Sequence, residues 1–390
     1  MTLAIHAPTD YGPWASIDLT AITHNLAWMR RRMPHARSNA HPPRLWAVVK
    51  ADAYGHGLHH ALGALGASDG VAVATLGDVL RVRELGWHRP VLLLSAAGLD
   101  PSALGDPACG ELHIVIDDNA TLQRLEHMPF SLPRVHAWLR YAGHLQSQGF
   151  DDTGYPHAFW RLQALAQNGR LAAAGHLHHY AMAEDAQALA TEQQAFARVT
   201  AGLPGPHSTG NSAALCGVAP GPIHPAGHWL RCGLALYGAS ALPGRTGAQL
   251  GLRPAMSLHA RLLVVRRVAA GQSVGYGDSY RAAQDTHIGV VGIGYGHGLP
   301  RNLWRHGQLL AGKAGRPVPL AGRVAMDCLT VDLGSHPTEK AGDIITLWGQ
   351  SPAGAALPVE AAAQACDTIA AEMLTCLTAR LPLLAYPKAA

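Results

Sequence analysis

Lys50 is the residue whose surroundings most suggest chemistry. It follows the apolar run Leu45-Trp-Ala-Val-Val and opens Ala51-Asp-Ala-Tyr-Gly-His-Gly, so its amine emerges from an apolar strand end. Desolvation disfavours the ammonium form and lowers an amine's pKa, which is what imine formation with an aldehyde cofactor needs. The plainer alternative is a lysine snorkelling from a strand end. Two features weigh against it. Only four of the 30 basic residues are lysines (Lys50, Lys313, Lys340 and Lys388), so Lys50 is alone across the first 312 positions. Gly55 and Gly57 also permit close backbone approach just beyond it. Farther along, Gly210-Asn-Ser-Ala-Ala and Arg231-Cys-Gly-Leu can offer backbone N–H groups and a hydroxyl to an anion such as phosphate. Ser212 reads equally well as a helix N-cap.

These groups need a scaffold that gathers them. Eight short apolar runs, at 45–49, 71–74, 91–94, 112–116, 135–139, 171–177, 206–209 and 229–236, alternate with helical patterns at 58–65, 78–85, 120–127, 157–168 and 186–199. An amphipathic helix at 19–33 precedes them. Eight such units predict an α/β fold with an N-terminal (β/α)8 TIM-type barrel, the alternative being an open doubly wound sheet. Working residues of such a barrel lie at the carboxyl ends of strands. Those ends supply Lys50, Thr75, Ser95, Asp117, Arg140, His178 with His179, Ser208 with Asn211 and Ser212, and Arg231. Past the turn-rich segment 241–247, glycine-broken runs at 257–268, 287–292, 317–320, 328–333 and 344–348 predict a mostly β C-terminal domain, closed by one helix over 359–377. The expected domains are 12–245 and 246–390.

Composition bounds the rest. With 390 residues, 48% hydrophobic and 14% charged, the chain has material for two cored domains and is not a disordered one. No apolar run approaches the ~18 residues of a membrane span, and the opening residues lack a secretory pattern, so a cytoplasmic location is expected. Six scattered cysteines without a C-x-x-C pair argue against a disulfide framework and a thiolate zinc site, and no metal is expected. A net charge of +4 without a basic stripe makes nucleic acid an unsuitable partner.

Ala47-Val-Val-Lys-Ala-Asp-Ala-Tyr-Gly-His-Gly resembles the signature of alanine racemases, pyridoxal-phosphate enzymes built from a barrel and a β domain. The resemblance runs on in order through Ser16-Ile-Asp-Leu, His179-Tyr-Ala-Met-Ala-Glu, Asn211-Ser-Ala-Ala, Arg231-Cys-Gly-Leu-Ala-Leu-Tyr-Gly, Val274-Gly-Tyr-Gly-Asp-Ser-Tyr, Ile293-Gly-Tyr-Gly and Gly322-Arg-Val-Ala-Met-Asp. It implies pyridoxal 5′-phosphate as cofactor, an amino acid as substrate and a homodimer with shared active sites. Lys50 would carry the cofactor and serve as base on one face of the substrate α-carbon. Tyr276, from a second subunit, would serve the opposite face, with His179 holding it in a hydrogen-bond chain. A planar carbanion needs a proton acceptor on each side, so an amine and a phenol make a sensible pair. Arg231 would face the pyridine nitrogen and, being always protonated, disfavour its protonation and limit side reactions. Tyr54, Ser212 and the Gly233 and Leu234 backbone would hold the phosphate, with Asn211 and His179 also among the cofactor-binding residues. Met326 and Asp327 would approach the substrate, and Tyr295 resembles a channel-lining residue.

The fifth strand departs from the family pattern. Members usually carry a segment resembling Lys-x-Asn/Asp-Thr-Gly-Met-x-Arg-Leu-Gly, whose lysine is often carbamylated and whose arginine helps bind the substrate carboxylate. This chain reads Val135-His-Ala-Trp-Leu-Arg-Tyr-Ala-Gly-His-Leu-Gln-Ser-Gln-Gly-Phe, with Trp138 near the lysine's place and Gln146, Ser147 and Gln148 near the arginine's. Arg140 is the candidate substitute, with His144 as a possible contributor. His297 stands where the family usually has Asp, and is expected near the entrance. The expected activity is racemisation of alanine or a related amino acid. The alternatives are a shifted substrate such as an amino-acid amide, a decarboxylase or lyase on the same scaffold, and a cofactor-holding homologue without turnover.

Overall fold

The computed structural model describes residues 12–34, 41–217 and 221–386; the opening residues read for a secretory signal lie outside them. Eight parallel strands, Arg44–Val48, Gly70–Val73, Val91–Leu93, Leu112–Ile116, Leu132–Tyr141, Leu171–His178, His207–Ser208 and His228–Cys232, form a closed barrel. Closure comes from the last strand pairing with the first, Leu45 opposite Leu230 and Trp46 opposite Arg231, which excludes the open sheet. The run expected at 229–236 is shorter as a strand. Gly233 breaks it, and Leu234–Tyr237 coils into a 3-10 turn.

Alternation along each strand fills the barrel. Trp46, Val48, Ala72, Leu92, Val115, Trp138, Leu177 and Trp229 point inward and form one interior cluster. Trp46 stacks on Trp229 with centroids 4.0 Å apart. Glycines opposite the indoles make the room: a Cβ on Gly70 would lie 2.2 Å from Trp46, and one on Gly175 2.8 Å from Trp138. Because side chains repeat every second residue, one further step along these strands sends Lys50, Ala74, Leu94, Asp117, Arg140, His179 and Arg231 into the barrel mouth.

The second domain is built on the long strand Met256–Val268, which pairs antiparallel with Thr286–Val291 and Ile344–Gln350. Trp14–Asp18 also joins this sheet, antiparallel to Met256–Val268 and parallel to Leu383–Tyr386. The described residues therefore begin in the second sheet, then enter the barrel through helix Leu19–Arg32, whose first turn is capped by Asp18. The single terminal helix expected over 359–377 is instead two, Val359–Ala365 and Ala370–Thr375, separated where Asp367 adopts φ 55°. That break turns Leu374 toward the barrel mouth: its carbonyl oxygen lies 2.1 Å from where a Cβ on Gly55 would sit.

Candidate active site

Lys50 opens a turn that sequence patterns do not announce. Ala51, Asp52, Ala53 and Tyr54 all hold φ between 52° and 57°, a full left-handed turn without a glycine. Each such residue costs roughly 1–2 kcal/mol over the right-handed conformation. Bonds from Ala53 N to Val49 O (2.9 Å) and Gly55 N to Ala51 O (2.9 Å) hold the turn closed. Strain of this kind persists where it serves a site. Here it sets Lys50 at the mouth and, one turn on, aims Tyr54 at Gly233.

Two adjoining cavities, about 210 Å³ and about 330 Å³, share Lys50, Leu94, His179 and Arg231 on their walls. The smaller ends in an anion cradle. A Cβ on Gly233 would lie 2.5 Å from the Tyr54 hydroxyl, so only glycine admits that phenol. Burial, with Cys232 adding, pushes the phenol up to about 12, which keeps it a hydroxyl donor at neutral pH. Asn211, not Ser212, caps the short helix Ser212–Cys216, through Ala214 N at 3.0 Å. Ser212 Oγ accepts from Gly233 N (3.1 Å) and Ala235 N (3.4 Å), leaving its own proton to donate. Leu234 follows at the cavity wall.

Arg231 is buried and immobilised: Nη1 donates to Ser208 Oγ at 2.7 Å and Nη2 to the His178 carbonyl at 2.6 Å. Burial pulls its pKa down to about 10, so it remains a cation at neutral pH. His179, one residue past that carbonyl, faces the cavity. The crowded mouth, then the cations Arg231, Arg140 and Lys50, push its imidazole down to about 3, and it is neutral at physiological pH. The loop that carries it is pinned from outside the barrel by Glu192, which the sequence reading missed. Its carboxylate meets His178 Nε2 at 2.9 Å and accepts from Ala181 N at 3.0 Å. Burial alone would raise its pKa; those hydrogen bonds hold it below the usual range. His178 thus points away from the cavity, and Thr75 caps helix Leu76–Glu84 instead of serving a ligand.

Arg140 lines the larger cavity beside Ser95 and Gln148 and donates to the Gln148 side chain. Trp138 sits one layer lower, where its indole N–H donates to His113 Nδ1 at 3.0 Å. His144 is drawn instead toward Glu192, 3.7 Å away. His297 does not stand free at an entrance. It is buried and accepts from Gly294 N at 3.2 Å through Nδ1, fixing a turn.

Tyr276, Tyr295, Met326 and Asp327 line neither cavity. All belong to the second domain, where Tyr276 is 69% exposed and Tyr295 and Met326 are exposed too. Tyr295 N donates to Ala325 O (3.0 Å) and Gly296 N to Met326 O (2.8 Å), while Asp327 pairs with Arg380 at 2.7 Å. The two cavities are therefore lined within one chain by barrel residues, with none of these four among them.

Residues 17–241 match the family model for the alanine racemase N-terminal domain, and residues 255–385 the one for the C-terminal domain. The chain belongs to the alanine racemase family. Alanine racemase from Bordetella petrii is 37% identical over 377 residues, 95% of this chain and 97% of that one. The biosynthetic alanine racemase of Pseudomonas aeruginosa superposes with a TM-score of 0.82 at 34% identity, covering 97% of this chain and 100% of the other. At 23% identity and a TM-score of 0.80, the Bartonella henselae alanine racemase, which has covalently bound pyridoxal phosphate, shares the fold; 97% of this chain and 100% of that one are covered. Membership makes this chain an isomerase of a pyridoxal-phosphate-dependent family. Among the described residues, no helix is long and apolar enough to cross a membrane.

Proposed function

We propose that this chain interconverts L- and D-alanine with pyridoxal 5′-phosphate at the barrel mouth. The observation that carries this is the convergence of Lys50, the Tyr54–Ser212–Gly233 cradle and Arg231 on one pair of joined cavities. The donor set fits the cofactor: a phenol kept protonated, a hydroxyl with a free proton and a glycine that a Cβ would close suit a phosphate. When bound, the cofactor supplies an electron sink that makes the substrate α-proton acidic.

The chain's own groups do the rest. Lys50 Nζ holds the cofactor and takes or returns the proton on one face. The Tyr276 hydroxyl of a second subunit does so on the other, the two exchanging roles with the direction of reaction. His179, neutral at physiological pH, is the hydrogen-bond partner that orients that phenol. Arg231, clamped in place and cationic at neutral pH, would hold the pyridine end of the cofactor and would disfavour protonation of its ring nitrogen. Arg140 is proposed to meet the substrate carboxylate, and the exposed face with Tyr276, Tyr295, Met326 and Asp327 to close the site across a homodimer. In this reading the barrel holds the cofactor, and the second domain, to whose sheet Trp14–Asp18 belongs, supplies the partner-facing side. Six free cysteines suit a reducing cytoplasm.

The test is direct. The purified protein should show a yellow, borohydride-reducible chromophore and exchange the α-proton of alanine in deuterated solvent. Lys50→Ala should lose both; a variant indistinguishable from wild type would overturn the reading. Replacement of the usual lysine and arginine by Trp138 and Gln146–Gln148 favours one second reading, a shifted substrate. Faster exchange with an amino-acid amide than with alanine would establish it.

A further inference from the structure

The strand alternation that delivers Lys50 to the mouth delivers Asp117 as well, and no role described above uses it. Val115 lies in the interior cluster, so Asp117, two residues on, points inward beside Arg140, which stands two residues beyond Trp138. Asp117 is only 4% exposed; neither carboxylate oxygen has a hydrogen bond of full geometry among the described residues, and the Ser95 hydroxyl is the hydrogen-bonding side chain beside it. Arg140 is in the same position at Nε, with Nη1 committed to Gln148. Burial pushes the Asp117 carboxyl up, while Ser95 and Arg140 oppose that shift and Asp118 adds to it. The backbone binds these groups into one unit: Gly149 N donates to Asp117 O at 2.7 Å and Phe150 N to Arg140 O at 2.9 Å, so the segment bearing Gln148 is laced across both strand ends. A buried carboxylate left unpaired is expensive. Beside a half-buried, part-paired guanidinium it has a physical use, which is to fix where that cation stands.

We infer that Asp117 is a positioning residue that holds Arg140 at the barrel mouth to bind the substrate carboxylate, the pair standing in for the lysine and arginine absent from the fifth-strand segment. This rests on the racemase reading. The geometry differs from a simple replacement in place. The anion comes from the neighbouring fourth strand and the cation from two residues past Trp138, while the position of the missing lysine is occupied by an indole packed into the interior.

The pyridoxal-phosphate-loaded protein and three variants, Arg140→Ala, Asp117→Asn and the double substitution, test it by calorimetric titration with propionate, a carboxylate without the amino group, alongside racemisation kinetics. Arg140→Ala should weaken propionate binding and raise KM by at least about tenfold, the loss of one charge-assisted pair. Asp117→Asn should do so by about fivefold while kcat stays within about threefold. The double variant should be no worse than Arg140→Ala alone, because Asp117 acts only through the cation. Asp117→Glu, which keeps the charge, should recover part of the loss, and it serves if the asparagine variant folds poorly. Unchanged propionate affinity in Asp117→Asn, or losses that multiply in the double variant, overturns the inference. Arg140-dependent propionate binding without alanine exchange would remove the function reading and leave the carboxylate site standing. Alanine racemisation indifferent to Arg140→Ala would do the opposite.

Discussion

Arg231 Nη2 donates to the main-chain oxygen of His178 at 2.6 Å, so the cation of the eighth barrel strand is tied to the residue just before His179. Its other arm reaches Ser208 at 2.7 Å. One guanidinium thus fixes the ends of three consecutive strands and the backbone that carries His179.

Arg231→Lys keeps the charge but not the fork. A single ammonium on a shorter, freely rotating stem does not reproduce two divergent hydrogen bonds in a closed site, and losing one of this charge-assisted kind costs about 1.5–3 kcal/mol. The variant is expected to unfold at lower urea with unchanged slope, and its racemisation rate to fall by at least about tenfold, from His179 displacement alone. Wild-type stability in the lysine variant would contradict the clamp.

Acid should weaken the fold well before the carboxylates titrate. Burial lowers His56, His113, His176 and His228 to about 4 and His259 to about 3, each from 6.5. In this range the unfolded chain binds protons that the folded one refuses, so stability is full above 6.5 and declines as pH drops toward the folded values. Each group lowered to about 4 takes on the order of 2 kcal/mol from the fold by pH 5. Chemical denaturation at pH 7.5 and pH 5 measures the difference. A flat profile would show that these rings titrate normally.

The left-handed turn offers a substitution that separates strain from packing. Ala51 is exposed and sits at φ 53°, where glycine is at ease. Ala51→Gly should be neutral to stabilising by about 1 kcal/mol, since relief of the left-handed cost is partly offset by the entropy of a freer unfolded chain. Ala51→Val should destabilise by about 2 kcal/mol for the converse reason. A glycine variant less stable than wild type by more than the entropy cost would mean the turn is not strained.

Much of this is legible in the sequence. Most barrel strands are short apolar runs, and counting two residues past their inward members yields Lys50, Asp117, Arg140, His179 and Arg231 directly. What escaped the sequence was non-local or left-handed. Trp14–Asp18 looks like the start of the barrel domain, yet its partners are Met256–Val268 and Leu383–Tyr386. Such long-range pairing leaves no local pattern. The turn at 51–54 and the break at Asp367 put alanine, aspartate and tyrosine where glycine is the usual signal. Glu192 reads as one polar residue on helix Ala186–Val199, and only the fold brings it beneath His179.

The fifth-strand departure is built into the core and does not revert by one substitution. Trp138 fills the barrel interior with Trp46 and Trp229, donates to His113 and fits against Gly175. Trp138→Lys, which restores the residue type usual in the family, would remove that indole and place an ammonium next to buried His113. The carboxylate nearest His113 is Glu111, 3.3 Å from its Nε2 on the side away from the mouth. The expected cost combines a cavity and an unpaired buried charge, at least about 4 kcal/mol, and cofactor absorbance should fall with the folded fraction. Trp138→Phe removes only the indole hydrogen bond and part of the volume, and should cost about 2 kcal/mol with the cofactor retained. A Trp138→Lys protein as stable as wild type, with tighter alanine binding, would show that the family arrangement is still latent here and that Arg140 is not its replacement.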